Sequence, residues 1–175
     1  MVAMSVFTIM ALGTLAAMIQ SRKMSDNNVA QAEAVVIAQG IIEQVQLAGY
    51  TNVASDPAIP LKFAAISSTN VSTMQTLALA WAPDAVTFTN IGAVDAANNV
   101  LGVVLDLNYM NGASVIRPAR YMKMKVNLQR IPSAVNDNIE ILLTYSWQPP
   151  TANGQANARY ITREFRTIRS QTPSY

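Results

Sequence analysis

The amino-acid sequence predicts an α+β protein: a long N-terminal α-helix, apolar in its first half, whose second half packs against a C-terminal antiparallel β-sheet head. Three observations carry this expectation. From Met1 to Leu47 there is no proline, and the only glycines are Gly13 and Gly40, so nothing stops a helix. From Met1 to Ser21 there is no charged side chain. Beyond residue 85 the apolar positions recur every second residue, which is the strand signal. The expected division is therefore a helix over 1–50 and a β-rich head over 51–175.

At 1.5 Å per residue the helix would be roughly 70 Å long, whereas a head of about 125 residues has a radius of gyration on the order of 14 Å. Much of the helix must project beyond the head. Its first half, Val2 to Ile19, is apolar on every face, with Ser5, Thr8 and Thr14 as its polar side chains. A run of about 20 such residues has the length of a bilayer-crossing helix, and a helix apolar all round belongs in a membrane or inside a bundle. Val2, Val6, Phe7, Ile9, Met10, Leu12, Leu15 and Ile19 are the side chains that need this shelter. Each large one gains about 1.5–3 kcal/mol when withdrawn from water.

Arg22 and Lys23 follow at once. They can snorkel to a membrane surface, and alone they would place the C-terminal side in the cytoplasm, although a more basic segment upstream would override two residues. They can also pair with Asp26, Glu33 or Glu43 on adjacent subunits. The second half of the helix is amphipathic: Val29, Ala32, Val36, Ile41, Val45 and Ala48 recur at three to five residues, with Asp26, Gln31, Glu33, Gln39, Glu43 and Gln46 elsewhere. Gly49 is the expected stop, suited to a left-handed cap.

In the head, Thr51 to Pro60 reads as a turn-rich hinge containing Pro57 and Pro60. Residues 61–84 read either as a loop wrapping the helix or as a short helical or extended piece near Met74 to Trp81. Strands are expected over Ala85 to Val94 and Val100 to Tyr109, joined by a turn at Ala96 to Asn99, with a tight turn at Asn111-Gly112. Tyr121 to Ile131 should be one strand, with Met122, Met124, Val126 and Leu128 on one face and Lys123, Lys125, Asn127 and Gln129 on the other. Asn138 to Trp147 repeats the pattern through Ile139, Ile141, Leu143, Tyr145 and Trp147. A loop over Gln148 to Ala156 leads to a last strand at Ala158 to Arg169. Short connections favour an antiparallel meander with one face on the amphipathic half of the helix. Tyr121, Tyr145, Trp147 and Tyr160 read as core or strand-pair aromatics.

Charge is lopsided. Residues 1–116 carry three basic and seven acidic side chains, whereas 117–175 carry nine and three, so the acidic part of one copy can meet the basic part of the next. Arg159, Arg163, Arg166 and Arg169 concentrate in the last strand beside Glu164. That pattern suits an edge strand protected by charge, a contact with an acidic surface of another subunit, or, least well, extracellular DNA. The chain lacks histidine and cysteine, which removes the commonest general base, metal ligand and nucleophile arrangements together with any disulfide. The seven glycines form no phosphate loop, and Asp84, Asp95 and Asp106, eleven residues apart, fit no calcium loop. A serine nucleophile would need a lysine partner, and nothing singles one out. Asn70-Val71-Ser72 matches a glycosylation triplet that chance often supplies. No enzymatic activity, cofactor or metal is expected.

Met1-Val2-Ala3-Met4-Ser5-Val6-Phe7 and the apolar run behind it resemble the N-terminal segment of type IV pilins and type II secretion pseudopilins just after their processing site. The stretch from Ala32 to Val45, closing at Gly49-Tyr50, is similar to the continuation of that helix in minor pilins and pseudopilins. The match covers about the first 50 residues, and the head is similar in pattern only. The resemblance implies a structural subunit of a helical extracellular or periplasmic filament. Such a subunit waits in the bacterial inner membrane, is extracted by pilus or secretion machinery, and assembles by burying its apolar helix against other copies. It also implies a short basic leader and a glutamate a few positions into the helix. Met1 aligns just beyond that glutamate, so residues upstream of Met1 that include a carboxylate are expected; a buried, unpartnered amine at Met1 would cost several kcal/mol. A minor pilin or pseudopilin is one alternative. The other is an adhesion or binding module that stays anchored by a single span as a monomer.

Overall fold

The computed structural model describes residues 2–66, 71–94, 100–106, 109–111, 114–117, 120–133, 137–148 and 159–171. The protein is α+β, a long N-terminal helix with antiparallel sheets. Helix α1 spans Val2–Leu47 and α2 spans Tyr50–Ser55. Strands β1 (Ala58–Ile66) and β2 (Val71–Ala80) pair antiparallel, so of the ambiguous segment 61–84 the residues 61–66 and 71–80 are extended, which takes in all of the predicted piece from Met74 except Trp81. Strands β3 (Thr89–Ile91) and β4 (Ala93–Val94) follow, then β5 (Val100–Asp106), β6 (Tyr109–Asn111), β7 (Ser114–Arg117) and β8 (Arg120–Met122). The last three are β9 (Met124–Pro132), β10 (Asn138–Trp147) and β11 (Ile161–Ser170). The principal sheet has the order β11-β10-β9-β3, with smaller sheets β4-β5-β8 and β6-β7.

The meander β9-β10-β11 is antiparallel throughout, and β10 has the predicted bounds. Its alternation places Ile139, Ile141, Leu143, Tyr145 and Trp147 in the core beside Met122, Met124, Val126 and Leu128. Tyr145 stacks on Trp147 and on Phe165 with ring centroids 5.7 and 5.5 Å apart, so two of the aromatics singled out from the sequence are buried core rings.

Several expectations need correction. Gly49 is no left-handed cap: at φ −58°, ψ 147° it is extended and serves as the N-cap of α2, and the expected hinge from Thr51 to Pro60 is divided between α2 and the start of β1. The strand expected from Ala85 starts only at Thr89, because the Asp84 carboxylate accepts the backbone N–H groups of Val86 and Thr87 at 3.0 and 2.7 Å and bends the chain. Asn127, expected to point outward, is buried; its amide donates to the carbonyls of Asp84 and Thr87, holding that bend over the sheet. The stretch Tyr121 to Ile131 is two strands broken at Lys123, whose carbonyl accepts the Gln148 N–H. The expected turn at Ala96 to Asn99, Gly112 and most of the Gln148 to Ala156 loop lie outside the described residues.

The break at Lys123 and the kink at Gly92 (φ +129°) lie together, since Ile91 pairs with Met124. Here the chain turns from the principal sheet into β4-β5-β8. Gly102 (φ +120°) sits inside this corner: a Cβ on Gly92 would collide with the Gly102 backbone, and one on Gly102 with the Met122 carbonyl. Three backbones approach as closely as hydrogen allows. Gly102→Ala should therefore destabilise the fold by about 1–3 kcal/mol in urea unfolding, through strain and overpacking. The Asp84 bend adds a pH test. Hydrogen bonding from Thr87, and then from the Val86 N–H, holds the Asp84 carboxyl below the ordinary carboxylate range. A carboxyl with depressed folded pKa contributes stability above its unfolded value near 4, lost as pH falls through the folded value. Asp84→Asn should thus flatten the acid limb of the stability profile, measured by thermal unfolding between pH 2 and 6.

Candidate assembly surface

Helix α1 has two unlike halves. From Ala30 onward one stripe is fully buried: Ala30, Ala34, Ala38, Ile41 and Val45 join the core cluster. The helix lies against β10, β1 and β11. Three of these five are alanine, whose small side chains permit close packing, and the larger Ile41 and Val45 continue the stripe toward the end of the helix. This corrects the predicted stripe. Ile41 and Val45 are buried and Ala48 packs half-buried against the core as expected, but Val29, Ala32 and Val36 are exposed, Val36 at 62%. The predicted set mixed two faces of one helix.

The C-terminal end of α1 is fastened to the head. No basic residue stands in its last turn, and Arg169 of β11 supplies the missing cation, donating from Nη2 to the Ala48 carbonyl at 3.2 Å. Gln46 donates to Thr167 Oγ1 at 2.7 Å. Gln44 takes both sides of one peptide position, donating to the Lys62 carbonyl at 3.0 Å and accepting its N–H at 2.6 Å. Arg130 closes α2 by donating to the carbonyls of Val53, Ala54 and Asp56 at 3.2, 2.8 and 3.2 Å, with its guanidinium over the Trp81 ring. Sequence reasoning passed over Arg130. The available signal was its phase: it continues the row Met122, Met124, Val126, Leu128, where a charge needs partners.

Ahead of Ala30 the helix leaves the core. Phe7, Ile9, Met10, Leu12, Leu15 and Ile19 are exposed, from 75% at Phe7 to 50% at Ile19. Val2 and Val6 lie in α1, but their side chains fall outside the described residues. Among the described residues no helix is long and apolar enough to cross a membrane. Phe7 to Ile19 rises about 20 Å, against a hydrocarbon core of about 30 Å.

No protein-family model, curated protein or solved structure matches this chain. The surface must speak for itself.

The charges proposed from sequence fall into two groups. Asp26 pairs with Arg120 at 3.3 Å, Arg166 with Glu140 and Glu164 at 3.4 and 3.6 Å, and Arg169 holds Ala48, so these are occupied within the chain. Arg163 is exposed near Tyr145, whose hydroxyl pKa is raised by burial and partly lowered by that guanidinium. Arg22, Lys23, Glu43 and Arg159 are exposed, Glu33 is half-buried, and none of these five has an ionic partner among the described residues. The β11 strand stands at the edge of its sheet, consistent with charge guarding an open edge. Lys125 lies between the rings of Phe88 and Tyr160, with Nζ 4.6 and 4.4 Å from their centroids.

Both partners of the Asp26–Arg120 pair are more than two-fifths exposed, so it is worth at most about 1 kcal/mol. Asp26→Asn should cost less than about 1 kcal/mol in chemical unfolding, and the difference should shrink in molar salt.

Proposed function

We propose that this protein is a pilin-like structural subunit of a helical extracellular or periplasmic filament. Its apolar N-terminal helix is buried among copies of itself, and its head is carried on the second half of that helix. The observation that supports this most directly is the contrast within α1. One half is joined to the sheets by a buried stripe and side-chain bonds, while the other presents large apolar side chains to solvent over its whole circumference. Six such side chains, from Phe7 to Ile19, each stand to gain about 1.5–3 kcal/mol from burial, which a monomer in water forgoes.

A membrane and a bundle of like helices are equivalent shelters for this segment. In this reading the helix waits in the bacterial inner membrane, with any span completed by residues ahead of Phe7, and pilus or secretion machinery then transfers it to the filament axis. Whether the subunit is a major pilin or a minor, pseudopilin-like one follows from its abundance in the filament. Catalysis, cofactors and nucleic acid have no part in it. The competing reading, a binding module anchored as a monomer, is disfavoured by α1 itself: the chain passes from apolar segment to head as unbroken helix, where a tether would use flexible linker.

Leu12→Asp or Leu15→Asp places a charge in the shelter while touching nothing in the head. Both variants should abolish filaments in electron micrographs of cells making the protein, with the head's thermal unfolding unchanged. Normal filaments from either variant would contradict burial as the driving force.

A further inference from the structure

From Met4 to Glu43, positions taken in alternating steps of four and three residues are all exposed. Over the second half of α1 this row lies on the side away from Ala30, Ala34 and Ala38, and it holds the misassigned Val29, Ala32 and Val36. Alternating steps of four and three are the heptad repeat of a coiled-coil seam. The long helix thus has one buried stripe and a second that is exposed at every position from Met4 to Glu43. Two positions of that second stripe are charged, Arg22 and Glu43, and neither has an ionic partner among the described residues.

Resting on the filament reading, we propose that α1 of a second copy docks in parallel along this seam, displaced by three heptads, so that Arg22 of one copy meets Glu43 of the next. The charges select this register. Glu43 follows Arg22 by 21 residues, and a parallel shift keeps the seam in phase only at whole heptads. With no shift, Arg22 faces Arg22 and Glu43 faces Glu43. One heptad sets Arg22 against Val29, two set it against Val36, and three set it against Glu43. The corresponding rise is about 31 Å. The same shift lays Ala11 on Ala32 and Leu15 on Val36, so the apolar tip of each copy covers the bare back of its neighbour's helix. An antiparallel pair would also match Arg22 with Glu43, but it closes at two copies and leaves the tips bare. The parallel contact joins unlike surfaces and repeats without end, as a filament requires.

The chain has no cysteine, so introduced thiols report register cleanly. The double variant Leu15→Cys, Val36→Cys, oxidised in filaments on cells, should give a ladder of disulfide-linked multimers on non-reducing gels. Leu15→Cys with Val29→Cys, two heptads apart, should give none, and Val29→Cys with Val36→Cys should give no closed dimer. Arg22→Glu should lower filament number at least tenfold, and Arg22→Glu with Glu43→Arg should restore it. Filaments that form without the Leu15–Val36 ladder, or with either of the other cross-links, or without restoration by the charge exchange, would overturn the register and leave the filament reading intact. A wild-type protein that stays monomeric after detergent extraction and cross-linking, with no filaments on cells, would overturn both.

Discussion

The fully buried stripe that begins with three alanines on α1 is the constraint on which this architecture depends. Ala30, Ala34 and Ala38 are fully buried with little apolar area to offer, so a larger residue at any of them would have to displace whatever covers it. Further along the stripe, Ile41 and Val45 enter the cluster that contains Trp147, Leu143 and Ile141. Ahead of Ala30 the head touches the helix through the Asp26–Arg120 pair, and the side chains from Phe7 to Ile19 are exposed. The large apolar side chains ahead of that point stay exposed, and in the filament reading other copies complete this surface.

The head meets a different demand, which is to turn a corner without losing its backbone pairing. Strands β3 and β9 run side by side until Ile91 and Met124, then both leave the principal sheet at Gly92 and Lys123. Beyond the corner β5 lies between them, with Gly102 pairing Ala93 and Val103 pairing Met122. Glycine at 92 and 102 is a steric requirement here, since any side chain would occupy the place of another strand's backbone. On the outer side, Asn127 and Lys125 hold the bend around Asp84 and Phe88 against the principal sheet, so polar residues on a nominally outward row become structural.

The sequence made the helix legible because nothing in 47 residues breaks it, and β10 legible because every second residue from Ile139 to Trp147 is a large apolar or aromatic one. It concealed whatever depended on tertiary partners. Val29 and Val36 outrank Ala30 and Ala34 in hydrophobicity, so a reading that rewards large residues mixed an exposed face with the buried one of Ile41 and Val45. Gly49 matched a cap signal, yet the next helix claimed it. Asp84, Asn127 and Lys123 changed roles because each bonds to a segment distant in sequence or to a bend that periodicity cannot register. Of the proposed charges, Asp26, Arg166 and Arg169 found partners within the chain, and spacing along one strand or helix could not have revealed them.

The fastening at the end of α1 has a mechanical consequence. Arg169, Gln46 and Gln44 tie the last turns of the helix to β11 on one side and β1 on the other. A tensile load along the helix axis would reach the head through these ties and the alanine stripe together, in shear and nearly simultaneously. Ruptured in parallel, such bonds resist force far better than the same bonds peeled one after another. The molecule is thus strong along its length and comparatively weak to a sideways pull on the helix tip, which would load the exposed Asp26–Arg120 pair first and the buried stripe at Ala30 after it.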